Sequence, residues 1–556
     1  MDLIRLKIAD ALKQAVAAAE RSGALPPVGT PEVVVERPAN AGHGDYACNL
    51  ALKLARAARM KPLDIAQRIA DHMPPLDAVA SVAVAPPGFI NITLADGWLQ
   101  RAVPIILTEG DAYGRTNIGN GQRVQVEFVS VNPTGPVHIG HGRGAVLGSA
   151  LAAVLDAAGF SVQREYYIND AGNQMDNFYR SLYARAAQSL GIAAEMPSDG
   201  YMGAYVGDVA AQILQENPAL AARIAADPTA ATREIGALGL QKMIALIRQD
   251  LEALGVSFDL WFSERSLFDT GQYDRAMEQL AARGYTAQRE GATWFTSTSL
   301  GEDKDNVLVR TTGTPTYFAS DIAYHYNKLA ERNFARVIDI WGADHQGHVA
   351  RLKAAVSALG IDPARLTIIL SQLVTLRRGD QVVKISKRTG DIITLREVID
   401  EVGKDVCRFF LLSRSADSQM DFDLELAKTQ SQDNPVYYVQ YGHARIASIL
   451  RLTAERGIAY ESADVSLLTH ESELALIRKM LQLPETVEQI AALLEPHHLT
   501  RYAQELAAAF HWFYKQCRVV SDDQALTAAR LRLVAAAQLT LARTLHLMGM
   551  SAPEQM

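Results

Sequence analysis

The sequence predicts an α/β protein in three parts: a small α/β module at residues 1–112, a doubly wound α/β domain at 113–430 and an all-α bundle at 431–556. Three observations carry that reading. Residues 123–143, RVQVEFVSVNPTGPVHIGHGR, run from a β-branched and aromatic strand (Val124, Val126, Phe128, Val131) through Asn132-Pro133 into the entrance of a helix. Residues 335–348, ARVIDIWGADHQGH, pair an apolar strand with glycine and polar residues at its C-terminal end, the edge at which open α/β sheets bind ligands. Beyond about residue 430 the strand signals vanish and apolar residues recur only at helical spacing.

In the first module a helix runs to Gly23, and PEVVVER (31–37) reads as a strand. Helices are expected over 46–58 and 63–72, the second entered through Pro62. VASVAVA and GFINITL alternate on either side of Pro86-Pro87-Gly88, which predicts a hairpin. In the second part Leu147, Leu151 and Leu155 recur every fourth residue until Gly159 stops the helix, and REYYIND (164–170) predicts the next strand. Residues 171–290 read as a mainly helical insertion, with helices over 175–190, 205–215 and 232–254. The nucleotide-binding sheet is expected to resume with ATWFTST, NVLVRT and ARVIDIW, and the apolar run LTIILSQLV (366–374) suits a strand buried on both faces. The bundle is read as helices over 436–451, 474–481, 487–494, 502–519 and 526–548, with Gly549 as terminal cap.

Composition bounds the function. With 49% hydrophobic and 21% charged residues, the 556-residue chain can hold several cores. Its formal charge of −8 excludes a general polycation, so any nucleic-acid contact must use local basic patches. Across 431–556 eleven Lys/Arg stand against thirteen Asp/Glu, so an RNA role for the bundle does not follow from charge. Cys48, Cys407 and Cys517 lie far apart without a CxxC pair, so no disulfide framework or cysteine metal site is indicated. The opening MDLIRLKIADALKQAVAAAE predicts an amphipathic helix rather than a secretory signal, and no 18-residue apolar run suggests a membrane span.

The chemistry concentrates at two motifs. His138-Ile139-Gly140-His141 stands where unpaired helix N–H groups favour phosphate, glycine allows close approach and imidazoles donate hydrogen bonds. Far downstream, Lys384-Ile385-Ser386-Lys387 lies in RRGDQVVKISKRTGD (377–391), a basic segment with glycines at both ends that suits a mobile positive lid.

These two motifs, in this order, with EFVSVNPTGPVHIGH, TYFASDIAYH (316–325), GADHQGH and a bundle opening in YVQYGHARI, resemble the class I aminoacyl-tRNA synthetases and, among them, the arginyl-tRNA synthetase family. The first matches the family's HIGH sequence. The second resembles its KMSKS sequence but departs from it, with Ile385 for methionine and Arg388 for the last serine. The resemblance implies a Rossmann-type catalytic domain between an N-terminal domain that contacts the tRNA corner and a helical anticodon-binding domain. It implies ATP, Mg2+, L-arginine and tRNA(Arg) as reactants and partners, in a cytoplasmic monomer without a membrane role. Activation in this family characteristically needs bound tRNA.

By the same resemblance His138, His141, Lys384 and Lys387 are catalytic. They hold ATP together with Gly140, Gly342, Asp344 and His345. Glu127, Tyr317 and Asp321 hold the guanidinium, while Asn132 and Gln346 hold the α-amino end. No metal-ligating set of the protein's own is expected. Physically, a guanidinium wants planar carboxylate acceptors, and carboxylate activation needs positioning and charge more than a protein nucleophile. Two alternatives stay open at this stage: a related ligase for another amino acid, and a catalytically idle tRNA-binding relative.

Overall fold

The computed structural model describes residues 3–29, 32–383, 393–431 and 433–556. At its centre lies a five-stranded parallel sheet of β1 (Arg123–Glu127), β2 (Ser161–Ile168), β3 (Leu260–Ser263), β4 (Arg336–Gly342) and β5 (Leu366–Ser371), in the order β5-β4-β1-β2-β3. Strand order reverses between β1 and β4, so neighbouring crossovers diverge there and leave a crevice beyond the C-terminal strand ends. The helix Ile139–Ala157 follows β1 and packs its buried leucines under the sheet. It approaches closely at Gly148, where a Cβ would lie 2.1 Å from Cγ of Phe128.

Several expectations change. Leu260–Ser263, inside the stretch read as helical insertion, is an edge strand of the main sheet, so the insertion proper is the helical group Asn173–Ser189, Ala204–Glu216, Pro218–Ala226 and Pro228–Ala253. Ala292–Phe295 and Asn306–Val309 are strands, but with Thr286–Arg289 they form a separate antiparallel sheet. β5 lies at the sheet edge with only Leu366 fully buried, because it has one neighbouring strand and partial cover. In the N-terminal module Tyr46–Cys48 is a strand, with the helix starting at Leu50, and the strand in 31–37 shrinks to Val35–Glu36. The hairpin forms as expected between Val79–Ala85 and Phe89–Leu94.

The C-terminal helices are Pro435–Glu455, Glu471–Met480, Leu483–Leu493, His498–Gln516 and Gln524–Leu547. By length and composition the last could cross a membrane, yet half of its most apolar window is buried inside the bundle. The N-terminal module docks on this bundle through Arg37–Glu485 (2.7 Å) and Arg478–Asp45 (2.8 Å), and just past the module the Tyr113 hydroxyl donates to the Met480 carbonyl (2.9 Å).

Candidate active site

A cleft of about 1640 Å³ fills the crevice at the C-terminal ends of β1 and β4. The loop after β1 forms one wall. Val129 and Ser130 there hold φ of 71° and 41°, a left-handed conformation costly for a β-branched valine, which turns the chain off the sheet so that Ser130 to Asn132 face the cleft. Ser130 Oγ holds the turn by donating to Glu127 Oε1 (2.8 Å) and accepting from the Tyr167 N–H (3.1 Å). The insertion supplies part of another wall, with the Tyr205 hydroxyl donating to the Thr134 carbonyl at 2.6 Å.

His138 is the N-cap of Ile139–Ala157, and His141 lies at the third helical position. Their rings stack with centroids 3.5 Å apart, and the His138 backbone N–H approaches His141 Nδ1 at 3.4 Å. His141 lines the cleft at the positive end of the helix. Residues 384–392, with Lys384 and Lys387, lie outside the described residues. The segment that follows them is anchored at this point: His138 bridges Thr394, and the Leu395 N–H donates to the Val137 carbonyl at 2.7 Å. Arg143, unassigned in the sequence reading, is fully buried, and its guanidinium donates to the carbonyls of Gln372, Ser415 and Ser418 at 2.8 Å each. It fastens the histidine-bearing helix to the loops beyond β5.

The wall of the same cleft also carries acidic residues. Glu264, immediately after β3, is 5% exposed and faces the cleft; burial pushes its carboxyl up, opposed by the Ser320 and Tyr167 hydroxyls. Asp321, on the helix Tyr317–Tyr326, is held well above the usual carboxylate range by burial and then by Glu264 and Glu127. Its charge in turn is the largest cause that pushes the Tyr317 phenol up. Arg351 and Lys328 oppose the rise at Asp321 without cancelling it.

Of the residues singled out in the sequence, His141, Asn132, Tyr317, Gly342, Asp344 and His345 share the cleft wall. His138 and Gly140 stand at its helical rim, and Asp321 is half-buried behind Tyr317. Glu127 is buried beneath, ion-paired with Lys328. Gln346 is exposed on the turn Ala343–His348 and is not on the cleft wall. Glu264 was missed. Its only signal was an acid at the end of a four-residue strand that was itself overlooked.

A nucleotide-sized crevice at the switch point of a 5-4-1-2-3 parallel sheet, with paired histidines at a helix entrance, marks the class I aminoacyl-tRNA synthetases, and the family model for the class I (R) tRNA synthetase catalytic domain matches residues 102–423. The arginyl-tRNA synthetase N-terminal domain model matches 2–94, and the DALR anticodon-binding domain model matches 439–556. Arginine–tRNA ligase from Dehalococcoides mccartyi (strain CBDB1) is 57% identical over 549 residues, covering 99% of this chain and 98% of that one. The arginine–tRNA ligase of Moorella thermoacetica is 50% identical over 562 residues, covering 99% and 98%. The arginyl-tRNA synthetase structure from Thermus thermophilus covers 100% of both chains with a TM-score of 0.76 and 23% identity, a likeness of fold. The chain belongs to the arginyl-tRNA synthetase family.

Proposed function

We propose that this cleft activates L-arginine with ATP and passes the arginyl group to the 3′ end of tRNA(Arg). The observation that carries the reading is the cleft-wall pair Glu264 and Tyr317, with Asp321 behind Tyr317, in one cleft with His141 of the helix entrance. A guanidinium seated on those carboxylates directs the arginine α-carboxylate toward the helix end. Asn132, on the cleft wall, receives its α-amino group, and Glu127 adds negative charge to the pocket floor. A carboxylate oxygen attacks the α-phosphorus of ATP, the bond to the β-phosphate breaks, and pyrophosphate leaves with its charge stabilised by the helix N-terminus, His138 and His141. Lys384 and Lys387, which precede the anchored Thr394 in the chain, add ammonium groups to the same phosphates. Gly342, Asp344 and His345 hold the adenosine. A ribose hydroxyl of the tRNA end then attacks the arginyl carbonyl carbon and AMP departs.

Mg2+ supplies charge neutralisation at the phosphate oxygens when bound with ATP. The cleft-wall carboxylates Asp344 and Glu397 offer hard oxygen donors of the kind it takes. The enzyme works as a cytoplasmic monomer in this reading, and light scattering on the purified chain tests the monomer. Pyrophosphate exchange measured with each amino acid, with and without tRNA, tests the function. Exchange with arginine alone among the amino acids is expected; exchange with another amino acid overturns the substrate, and none with any overturns the enzyme.

A further inference from the structure

Three carboxylates lie abreast across the middle of the sheet, because register pairs Asp339 of β4 with Glu127 of β1, and Glu127 with Glu165 of β2. All three are buried. Their counter-cations come from one place, the turn Asn327–Glu331 that continues the helix Tyr317–Tyr326 in wider π-helical form, together with Arg332 just after it. Arg332 grips Glu165 with two nitrogens at 2.6 and 2.8 Å, and the Tyr324 hydroxyl donates to the same carboxylate at 2.6 Å. Lys328 has no exposed surface. Its ammonium meets Asp339 Oδ1 at 2.9 Å, pairs with Glu127 and sits 4.0 Å from the centre of the Tyr324 ring. His325 reaches the second Asp339 oxygen at 2.7 Å.

Glu165 therefore has a cation of its own, whereas Glu127 shares Lys328 with Asp339. Glu127 is also the member of the row whose charge reaches the cleft, at Asp321 and Tyr317. A buried lysine is costly to place, and an apolar residue on an uncharged row would serve packing alone. We propose that Lys328 is a specificity-determining residue for arginine: a fixed internal cation that keeps Glu127 ionised, so that the pocket stays anionic toward a guanidinium. It touches no substrate and acts through Glu127 and Asp321. This rests on the arginine reading above.

Burial raises the Glu127 carboxyl and Lys328 opposes that rise, while Arg351 and Lys328 together oppose the rise at Asp321, so without Lys328 both carboxyls take up protons more readily. A carboxyl that takes up a proton presents a donor to a donor-only guanidinium. The test compares the unchanged enzyme with Lys328→Met and with Asp339→Asn, which leaves Lys328 to Glu127 alone and removes a like charge beside it, so that the two variants are expected to move the arginine limb in opposite directions. Arginine KM and ATP KM are measured between about pH 6 and pH 8.5. Loss of the cation is expected to move the pH limb of arginine KM upward by about one unit, roughly a tenfold weaker KM at pH 7 that recovers at the alkaline end, with ATP KM unchanged. A merely structural lysine gives equal changes in both KM values, or an arginine limb that is neither raised in folded Lys328→Met nor lowered in Asp339→Asn, and either result overturns the proposal. If the unchanged enzyme activates another amino acid instead, the arginine reading fails first and separately.

Discussion

Glu264→Gln isolates the acidic side of the cleft. The substitution keeps the shape of a side chain that is 5% exposed and faced by the Ser320 and Tyr167 hydroxyls, while removing its charge. A hydrogen bond to a charged partner contributes about 1.5–3 kcal/mol. At about 1.4 kcal/mol per decade that amounts to roughly a 10- to 150-fold rise in arginine KM, and the acceptor oxygen retained by the amide places the outcome in the lower half of the range. ATP makes no use of Glu264, so its KM is expected to stay within about twofold. Arginine-dependent pyrophosphate exchange in the presence of tRNA reads both constants. The pH dependence carries the sign as well: burial raises the Glu264 carboxyl, so arginine binding in the unchanged enzyme strengthens as pH rises through that raised value. The variant loses this contribution. An arginine KM within about twofold of the parent, or equal changes in both constants, would refute the placement of the guanidinium here.

Three further outcomes follow from the same structure. Arg143→Met leaves three carbonyls without their buried donor and frees the histidine-bearing helix from Gln372, Ser415 and Ser418. A loss of roughly 3–5 kcal/mol in thermal or urea unfolding is expected, with a fall in exchange rate even in the folded fraction. Burial holds the Asp250 carboxyl up at about 6 against an ordinary 3.8. The native chain therefore keeps a proton that the unfolded chain releases, a stabilisation complete below the ordinary value and lost as pH rises through the raised one. Asp250→Asn should accordingly melt higher than the parent near pH 7.5, by up to about 3 kcal/mol, with the difference fading toward pH 4; equal melting at both pH values contradicts it. Gly148→Ala brings a Cβ to 2.1 Å from Phe128 Cγ and forces the helix off β1. About 1–3 kcal/mol of destabilisation, measured by chemical denaturation, is expected together with reduced exchange.

What the sequence revealed of the fold follows the range of the interactions involved. The helix entrance at His138–His141 was legible because strand, turn and helix are adjacent in the chain and each carries its own local pattern. The bundle was legible for the same reason, its apolar spacing persisting over several turns. Leu260–Ser263 was not, because four residues with one fully buried leave no period to detect, and its membership of the sheet depends on Tyr166 and Tyr167 far upstream. Ala292–Phe295 and Asn306–Val309 were legible as strands but not in their pairing, which is a tertiary choice. Half-burial of β5 reflects its position at the edge, which an apolar run does not encode. At the site, residue types on recognisable motifs could be placed, whereas Glu264 and Lys328 carry no local signal. Their surroundings come from segments roughly sixty to two hundred residues away: Ser320 for the first, Glu127 for the second.

Paired imidazoles, two lysines and an acidic pocket are expected to converge on one ATP and one arginine. A crystal structure of the chain with arginine and a non-hydrolysable ATP analogue tests this convergence directly. The expected result puts the triphosphate at His138 and His141 with Lys384 or Lys387 within about 3.5 Å of its oxygens, and the guanidinium against Glu264, Asp321 and Tyr317. A triphosphate bound away from the histidines, or a guanidinium outside the acidic pocket, would contradict it.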